Sequence, residues 1–403
     1  MPWMEMSPMT QRMRLVAEFL TGDYTVSELA RRWSVSRPTV YKWIERHCEE
    51  GPRGLQDRSH LAHNCPHRLN EEMEQRIVAC RNVYMKWGAK KLLKKLVERY
   101  PDESGWPALS TIGDVLKRRG LVVARKVRRR VEPYTQPFGE SDAPNRIWCA
   151  DFKGWFRLGN GVRCDPLTIT DSHSRYLLCC QAMGRTDYES MRPVFEAVLR
   201  EYGLPVAVRT DNGAPFASRA LCGLSRFTIW LMKLGIVHER IDAGHPEQNG
   251  RHERIHRTML DELDLPASTM RTQQAMFDQW QRVFNDERPH EALEQVPPVS
   301  VYATSPRGYP QHLPEAQYPG SLQTRRVDIT GVIYWKTHKI FLSEVLRGET
   351  VGLERFDDHS YRVWFMQRYL GGFDSKHLVF TPAKHSRGAQ AAEPPEWAVE
   401  MAP

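Results

Sequence analysis

Hydrophobic and polar positions follow two periods along this chain, and the change of period divides it. In residues 13–20 (MRLVAEFL) apolar side chains recur at helical spacing until Gly22 and Asp23 interrupt them. Thr25-Val26-Ser27-Glu28 has the form of a capping box, in which the Thr25 hydroxyl receives the Glu28 amide and the Glu28 carboxylate reaches back; it opens a short helix, ELARRW. Ser36 caps the next helix, RPTVYKWIERH, whose Pro38 falls in the first turn, where a missing N–H is tolerated. This layout is that of a helix-turn-helix, with Arg37, Thr39 and Lys42 near the base-reading end of the second helix. Three-helix units of this kind also mediate protein contacts. The helical pattern then recurs in residues 70–87, 88–100 and 109–120, with Lys90, Lys91, Lys94 and Lys95 on neighbouring turns of the middle stretch. A second helix-turn-helix is the assignment, ending in Arg118 and Arg119 and followed by the run Arg125, Lys126, Val127, Arg128, Arg129, Arg130.

From about residue 140 the period shortens to two. RIWCADFKGWF, VRCDPLTITD and RYLLCCQAM read as successive strands, YESMRPVFEAVLREYG as a helix, PVAVRTDNG as a buried strand entering a turn. FTIWLMKLG, IVHERI and residues 250–263 continue as helix, strand and long helix. The order βββαβαβα predicts a ribonuclease-H-like α/β core with a mixed sheet. TQQAMFDQWQRVFNDERPHEAL adds an amphipathic helix, prolines between 297 and 319 mark a linker, and five alternating segments over 325–380 predict a small β-barrel. The expected organisation is therefore a helix-turn-helix domain (1–60), a second such domain with a basic linker (61–130), the catalytic core with its following helix (131–305), a Pro-rich linker (306–324), the barrel (325–385) and a disordered tail (386–403).

Charge changes the picture more than composition does. The chain has 403 residues and a formal charge of +8, but residues 1–130 hold 26 Lys/Arg against 15 Asp/Glu, or +11, leaving −3 for the rest. A basic N-terminal third fits phosphate neutralisation by double-stranded DNA; a solvated basic surface is the bland alternative. No run approaches the roughly 20 apolar residues of a membrane span, and MPWMEMSPMTQR lacks the features of an export leader. Eight scattered cysteines without a CxxC pair read as reduced thiols, so a cytoplasmic protein is expected, nucleoid-associated when bound to DNA.

Three acids carry the candidate chemistry. Asp151 sits in a strand of Trp, Cys, Ala and Phe, where a charge needs a partner or a metal. Asp211 ends a strand and precedes the turn dipeptide Asn212-Gly213. Glu253 lies in the first turn of a helix, with Arg257 one turn on and Arg254 beside it, while Ile255, Met259 and Leu263 face the other way into the core. Such carboxylates, distant in sequence and convergent in space, suit a pair of Mg²⁺ ions on phosphate chemistry. His60, His63, Cys65 and His67 offer a zinc reading, but their spacing matches no paired-ligand pattern and a polar linker is preferred.

The segments ADFKGWF, LTITDSHSRY, RTDNGAPF and HPEQNGRHERIHRT, with NDERPHEAL after them, resemble the core of DDE transposases and retroviral integrases, most closely bacterial insertion-sequence transposases with helix-turn-helix N-termini. The resemblance covers about 145–295. It implies that Asp151, Asp211 and Glu253 bind two Mg²⁺ or Mn²⁺ ions, that the enzyme cuts terminal inverted repeats and joins them to target DNA, and that it works as a dimer or tetramer on DNA. Thirty-five residues separate Asp211 from Glu247, a gap common in the family, against forty-one to Glu253. Glu253 is nonetheless chosen, because it follows the Asn-Gly turn and opens the helix, whereas Glu247 precedes that turn beside Pro246. The family makes Asp171 structural; Asp165, ahead of Pro166, is expected in a turn. Two rivals stand beside this reading: a non-catalytic regulator derived from a transposase, and a structure-selective nuclease of the same fold.

Overall fold

Helix caps set the first unit. In the computed structural model, which describes residues 7–58, 69–122, 141–218, 220–241, 250–263 and 266–383, Ser7 caps α1 (Pro8–Leu20), the Thr25–Glu28 capping box opens α2 (Val26–Arg32) and Ser36 caps α3 (Arg37–Glu50). Leu15, Val16, Leu29, Val40, Trp43 and Leu55 form its core. Arg37 and Lys42 stand exposed on α3, while the Thr39 hydroxyl pairs with that of Ser36, 2.8 Å away, as part of the cap. By contacts the chain divides into two compact units, Met1–Leu69 and Asn70–Pro403.

The second unit begins with α4 (Glu71–Val83), α5 (Ala89–Arg99) and α6 (Leu109–Arg118), packed around Ile77, Leu92, Leu96, Ile112 and Val115. Arg118 and Arg119, expected on DNA, both bond to the buried Glu74 at 2.7 Å. Their hydrogen bonds and charges, that of Arg119 foremost, hold the Glu74 carboxyl below its usual range. Two of the basic residues read as phosphate ligands thus pair with a buried carboxylate while their side chains stay about half exposed. Arg125, Lys126 and Arg128, the cluster His60, His63, Cys65 and His67, and the tail 386–403 lie outside the described residues.

The core sheet is mixed. β1 (Ile147–Phe152), β2 (Phe156–Arg157), β3 (Arg163–Asp171) and β4 (Leu177–Met183) precede α7 (Tyr188–Tyr202), β5 (Ala207–Thr210), α8 (Arg226–Lys233), β6 (Val237–Arg240), α9 (Gly250–Glu262) and α10 (Met270–Arg282). β3 runs antiparallel to β1 and β4, β1 pairs β5 in parallel, and β5 pairs β6 in parallel. Because helices cover both faces, strands such as β3 read as near-continuous buried runs. Trp148, Leu167, Ile169 and Val208 pack with Phe195, Phe227 and Trp230, and Cys164, Leu177 and Cys180 pack with Ile255, Met259, Phe277 and Trp280. Each such side chain stabilises by about 1.5–3 kcal/mol. The β4 edge is closed by side chains. Asn285 accepts the Leu177 amide and donates to its carbonyl, and Gln274 does the same for Ala182 and Cys180, which denies that edge to a foreign strand.

Three expectations need correction. Asp165 is not in a turn: it lies inside β3, paired with Met183 in register, buried and bonded to Arg163. The Pro-rich segment is fastened to the core, since Tyr309 and Leu313 join the core cluster and Arg307 donates to the carbonyls of Pro205, Leu234 and Gly235. The C-terminal strands do not close into a hydrogen-bonded barrel. They form an open five-stranded sheet, β13 (Val379–Pro382), β12 (Arg368–Asp374), β11 (Ser360–Phe365), β10 (Thr350–Arg355) and β7 (Gln323–Arg326), beside a separate hairpin of β8 (Val332–Trp335) and β9 (His338–Phe341). The reason is where its apolar side chains go: Leu224 and Ile229 share one cluster with Val351, Val363 and Phe373, so the sheet is completed by the core beside it. No helix among the described residues is long and apolar enough to cross a membrane, and the described cysteines carry no disulfide.

Candidate active site

Asp151 is placed by β1, opposite Thr168 of β3. It is mostly buried, with 19 % of its side chain exposed. Burial first, then the charges of Asp211 and, further down, Glu253, push its carboxyl up to about 7, against the Phe152 amide and Lys153. Asp211 at the end of β5 and Glu253 in the first turn of α9 thus both act on the same carboxylate by charge, while the side chains brought within 4.8 Å of Asp151 as a group are His252 and His256. Asp211 follows β5 directly and accepts the Gly213 amide at 3.1 Å, so the Asn212-Gly213 turn holds its side chain at the sheet's end. Glu253 is exposed, as are Arg254 and Arg257, while Ile255 and Met259 on the opposite side of α9 are buried. Glu247 lies outside the described residues. Asp171 is elsewhere and fully occupied, accepting the Asn145 and Ser174 amides and the Ser174 hydroxyl at 2.6–2.8 Å.

Two histidines that sequence reasoning passed over hold α9 in place. His252 and His256, one helical turn apart on either side of Glu253, are buried against β3. Both Nε2 atoms lie 2.7 Å from the Thr168 hydroxyl, and His252 Nδ1 is 3.0 Å from that of Thr170. Thr168 also donates to the Asp151 carbonyl, at 3.3 Å. Burial drives both imidazoles toward the neutral form, His256 to about 4. A second lock of the same kind sits beside Asp211: His238 of β6 bonds Thr210 at 2.9 Å and Thr228 of α8 at 2.8 Å. The signal was present in HERIH, where histidines at i and i+4 extend the apolar stripe of Ile255 and Met259 toward the helix start.

Donor atoms of Asp151, His252 and His256 fall within 4.8 Å of one another. The imidazoles, however, are engaged with threonines, and Nδ1 of His256 is 3.9 Å from the Asp151 carboxylate. Carboxylate oxygens such as those of Asp151, Asp211 and Glu253 suit a hard divalent cation better than imidazoles do, and a cation there would offset the like charges acting on Asp151. Replacing Thr168 by valine, nearly equal in volume, leaves two buried ring nitrogens short of a partner. The expected cost is about 1–3 kcal/mol in thermal or urea unfolding; an unchanged midpoint would show that the lock contributes nothing.

Residues 141–246 and 234–298 match family models of the integrase core domain, and residues 9–56 and 39–116 match models of homeodomain-like domains. A 31.7 kDa protein of insertion element IS407 from Burkholderia multivorans is 28 % identical over 261 residues, 64 % of this chain and 88 % of that protein. A 39.2 kDa protein of insertion element IS476 from Xanthomonas euvesicatoria is 30 % identical over 186 residues, 44 % and 51 % of the two chains. These matches to integrase-core models and insertion-element proteins support a bacterial insertion-sequence transposase. Among solved structures, this chain is similar to the HTLV-2 integrase catalytic core domain in complex with magnesium (16 % identity, 41 % of this chain and 100 % of that one, TM-score 0.31). It is also similar to a chain of the simian T-cell lymphotropic virus intasome in complex with a PP2A regulatory subunit (15 % identity, 71 % and 95 %, TM-score 0.34).

Proposed function

We propose that this integrase-core protein binds the terminal inverted repeats of its own mobile element, cleaves DNA there and joins the ends to target DNA. The observation that carries the reading is the convergence of like charges on Asp151 within an integrase core. Asp151, Asp211 and Glu253 would hold two divalent ions, Mg²⁺ or Mn²⁺, whose contribution when bound is to neutralise the attacking and leaving oxygens of an in-line displacement at phosphorus. The protein's own share is positional. β1 and the Asn212-Gly213 turn fix two carboxylates, the threonine-bound histidines fix the helix that bears the third, and Arg254 and Arg257 on its exposed side meet DNA phosphates. Arg37, Thr39 and Lys42 would contact bases from α3. Bringing two ends together calls for a dimer or tetramer on double-stranded DNA, and the seat of action is the nucleoid.

The test is a strand-transfer assay with duplex DNA from the element's ends, a target plasmid and Mg²⁺ or Mn²⁺. Cleavage and joined product are expected. A regulator gives neither, and a nuclease gives cleavage without joining. Within the same assay Glu253→Gln should reduce joining by about a hundredfold or more, as loss of one charge-stabilising group does elsewhere, while Glu247→Gln stays near wild type. The reverse pattern would transfer the third carboxylate to Glu247.

A further inference from the structure

Four residues past Asp151 the chain exposes a large aromatic side chain that nothing in the fold requires. Trp155 is 55 % exposed, whereas the other tryptophans among the described residues are buried or half-buried. A single exposed indole is ordinary by itself; its fixed backbone and the charges around it are what set this one apart. The position is fixed on both sides. Phe152 packs against Phe216 with ring centroids 5.7 Å apart, Phe156 packs into the cluster beneath α10, and the Lys153 amide donates to the Pro166 carbonyl. Between these anchors Gly154 takes a φ of +91° and turns the chain so that Trp155 faces out while its neighbours face in.

The surroundings of the ring are cationic. Arg157 and Arg163, opposite each other across the β2–β3 pair, place guanidinium carbons 5.8 and 5.4 Å from its centroid. Arg163 is oriented by the buried Asp165 and Arg157 by the Gly161 carbonyl. Asp165, the acid bonded to Arg163, is thereby neutralised, and the charge of Lys153 acts on Asp151. A flat apolar surface bordered by oriented cations is what an unstacked base with its phosphate fits: the ring replaces lost base stacking and the guanidiniums meet the backbone.

We propose that Trp155 is a stacking platform for one unpaired nucleotide of the substrate DNA beside the scissile phosphate. The inference rests on the DNA-cleaving function proposed above and specifies its substrate further. Asp151 is recessed, with 19 % of its side chain exposed; opening the duplex beside it would leave a base without a stacking partner, and the enzyme lowers that cost by supplying one. Arg157 and Arg163 hold the nucleotide's phosphates, and Trp155 takes its base without regard to identity, since every base has a π face.

The experiment is binding, not cutting, with the full chain in EDTA. Two probes are used: a blunt duplex, and the same duplex with a three-nucleotide unpaired tail carrying 2-aminopurine. Wild type is expected to bind the tailed duplex about tenfold more tightly and to quench the 2-aminopurine. Trp155→Ala should lose both the preference and the quenching while keeping wild-type affinity for the blunt duplex, and Trp155→Phe should retain part of each. A preference unchanged in Trp155→Ala, no preference in wild type, or an equal loss on both probes would each overturn the proposal. If metal-dependent cutting is absent but the tail preference depends on Trp155, the proposed chemistry fails and the platform stands; if cutting works and the preference ignores Trp155, the platform alone fails.

Discussion

Asp151→Asn is expected to abolish both cleavage and joining, by at least about a thousandfold, while DNA affinity stays at the wild-type level. Asparagine keeps the shape of the side chain and an oxygen to accept the Phe152 amide, so what is lost is one negative charge at the point where the other two acids converge. A thermal measurement separates this from misfolding. The Asp151 carboxyl titrates near 7 in the folded protein against an ordinary value of 3.8. For a group whose folded value is raised, the associated stability is complete below the unfolded value and lost as pH rises through the folded one. At pH 8 without metal the wild type therefore carries the full penalty of a buried, repelled carboxylate, up to about 4 kcal/mol. The asparagine variant should unfold at a higher temperature than wild type there, and Mg²⁺ should raise the wild type but not the variant. Joining at wild-type rate would remove Asp151 from the chemistry; a destabilised, DNA-blind variant would leave the charge argument without support.

What the sequence made legible was whatever is written in neighbouring residues. The Thr25–Glu28 capping box, the Ser36 cap with Pro38 behind it, and the Asn212-Gly213 turn that presents Asp211 are local chemistry, and each forms as the residues dictate. The strands around Asp151 were legible from their aromatic and branched residues, although RIWCADFKGWF, read as one strand, breaks at Gly154 into β1 and β2. Long-range pairing was not legible. Nothing local in LKRRG says that Arg118 and Arg119 meet Glu74, forty-odd residues earlier, so a basic run read as a DNA surface. Asp165 looked like a turn because Pro166 follows it, yet Pro166 needs no amide partner where it sits in β3, and Arg163 compensates the buried charge. Five alternating segments implied a closed barrel only so long as the sheet had to bury itself; Leu224 and Ile229 of the core remove that need. The histidines of HERIH were overlooked because an imidazole counts as polar in a pattern, whereas here the Thr168 and Thr170 hydroxyls let it act as core.

Those histidines make the protein acid-labile, and the effect should be large. His238 and His290 are held to about 3 and His256 to about 4, in each case chiefly by burial, and His252 lies well below its ordinary 6.5. With folded values depressed, the neutral rings are at no disadvantage above about pH 6.5, and stability is lost as pH falls from there toward the folded values, because only the unfolded chain takes up the protons. At pH 5 each buried ring costs about 2 kcal/mol, and four together amount to a large share of the 5–15 kcal/mol that holds a typical domain. Asp151 opposes this over the same interval, regaining stability as it protonates below 7, but one group does not offset four. The melting temperature of the metal-free protein is therefore expected to drop steeply between pH 6.5 and 5. His238→Gln, whose amide offers both a donor and an acceptor to Thr210 and Thr228, should flatten the slope by close to one proton. A melting temperature level from pH 7 to 5 would mean that these rings are charged or exposed in solution. The threonine locks on α9 and β6 would then not be what keeps Glu253 and Asp211 turned toward Asp151.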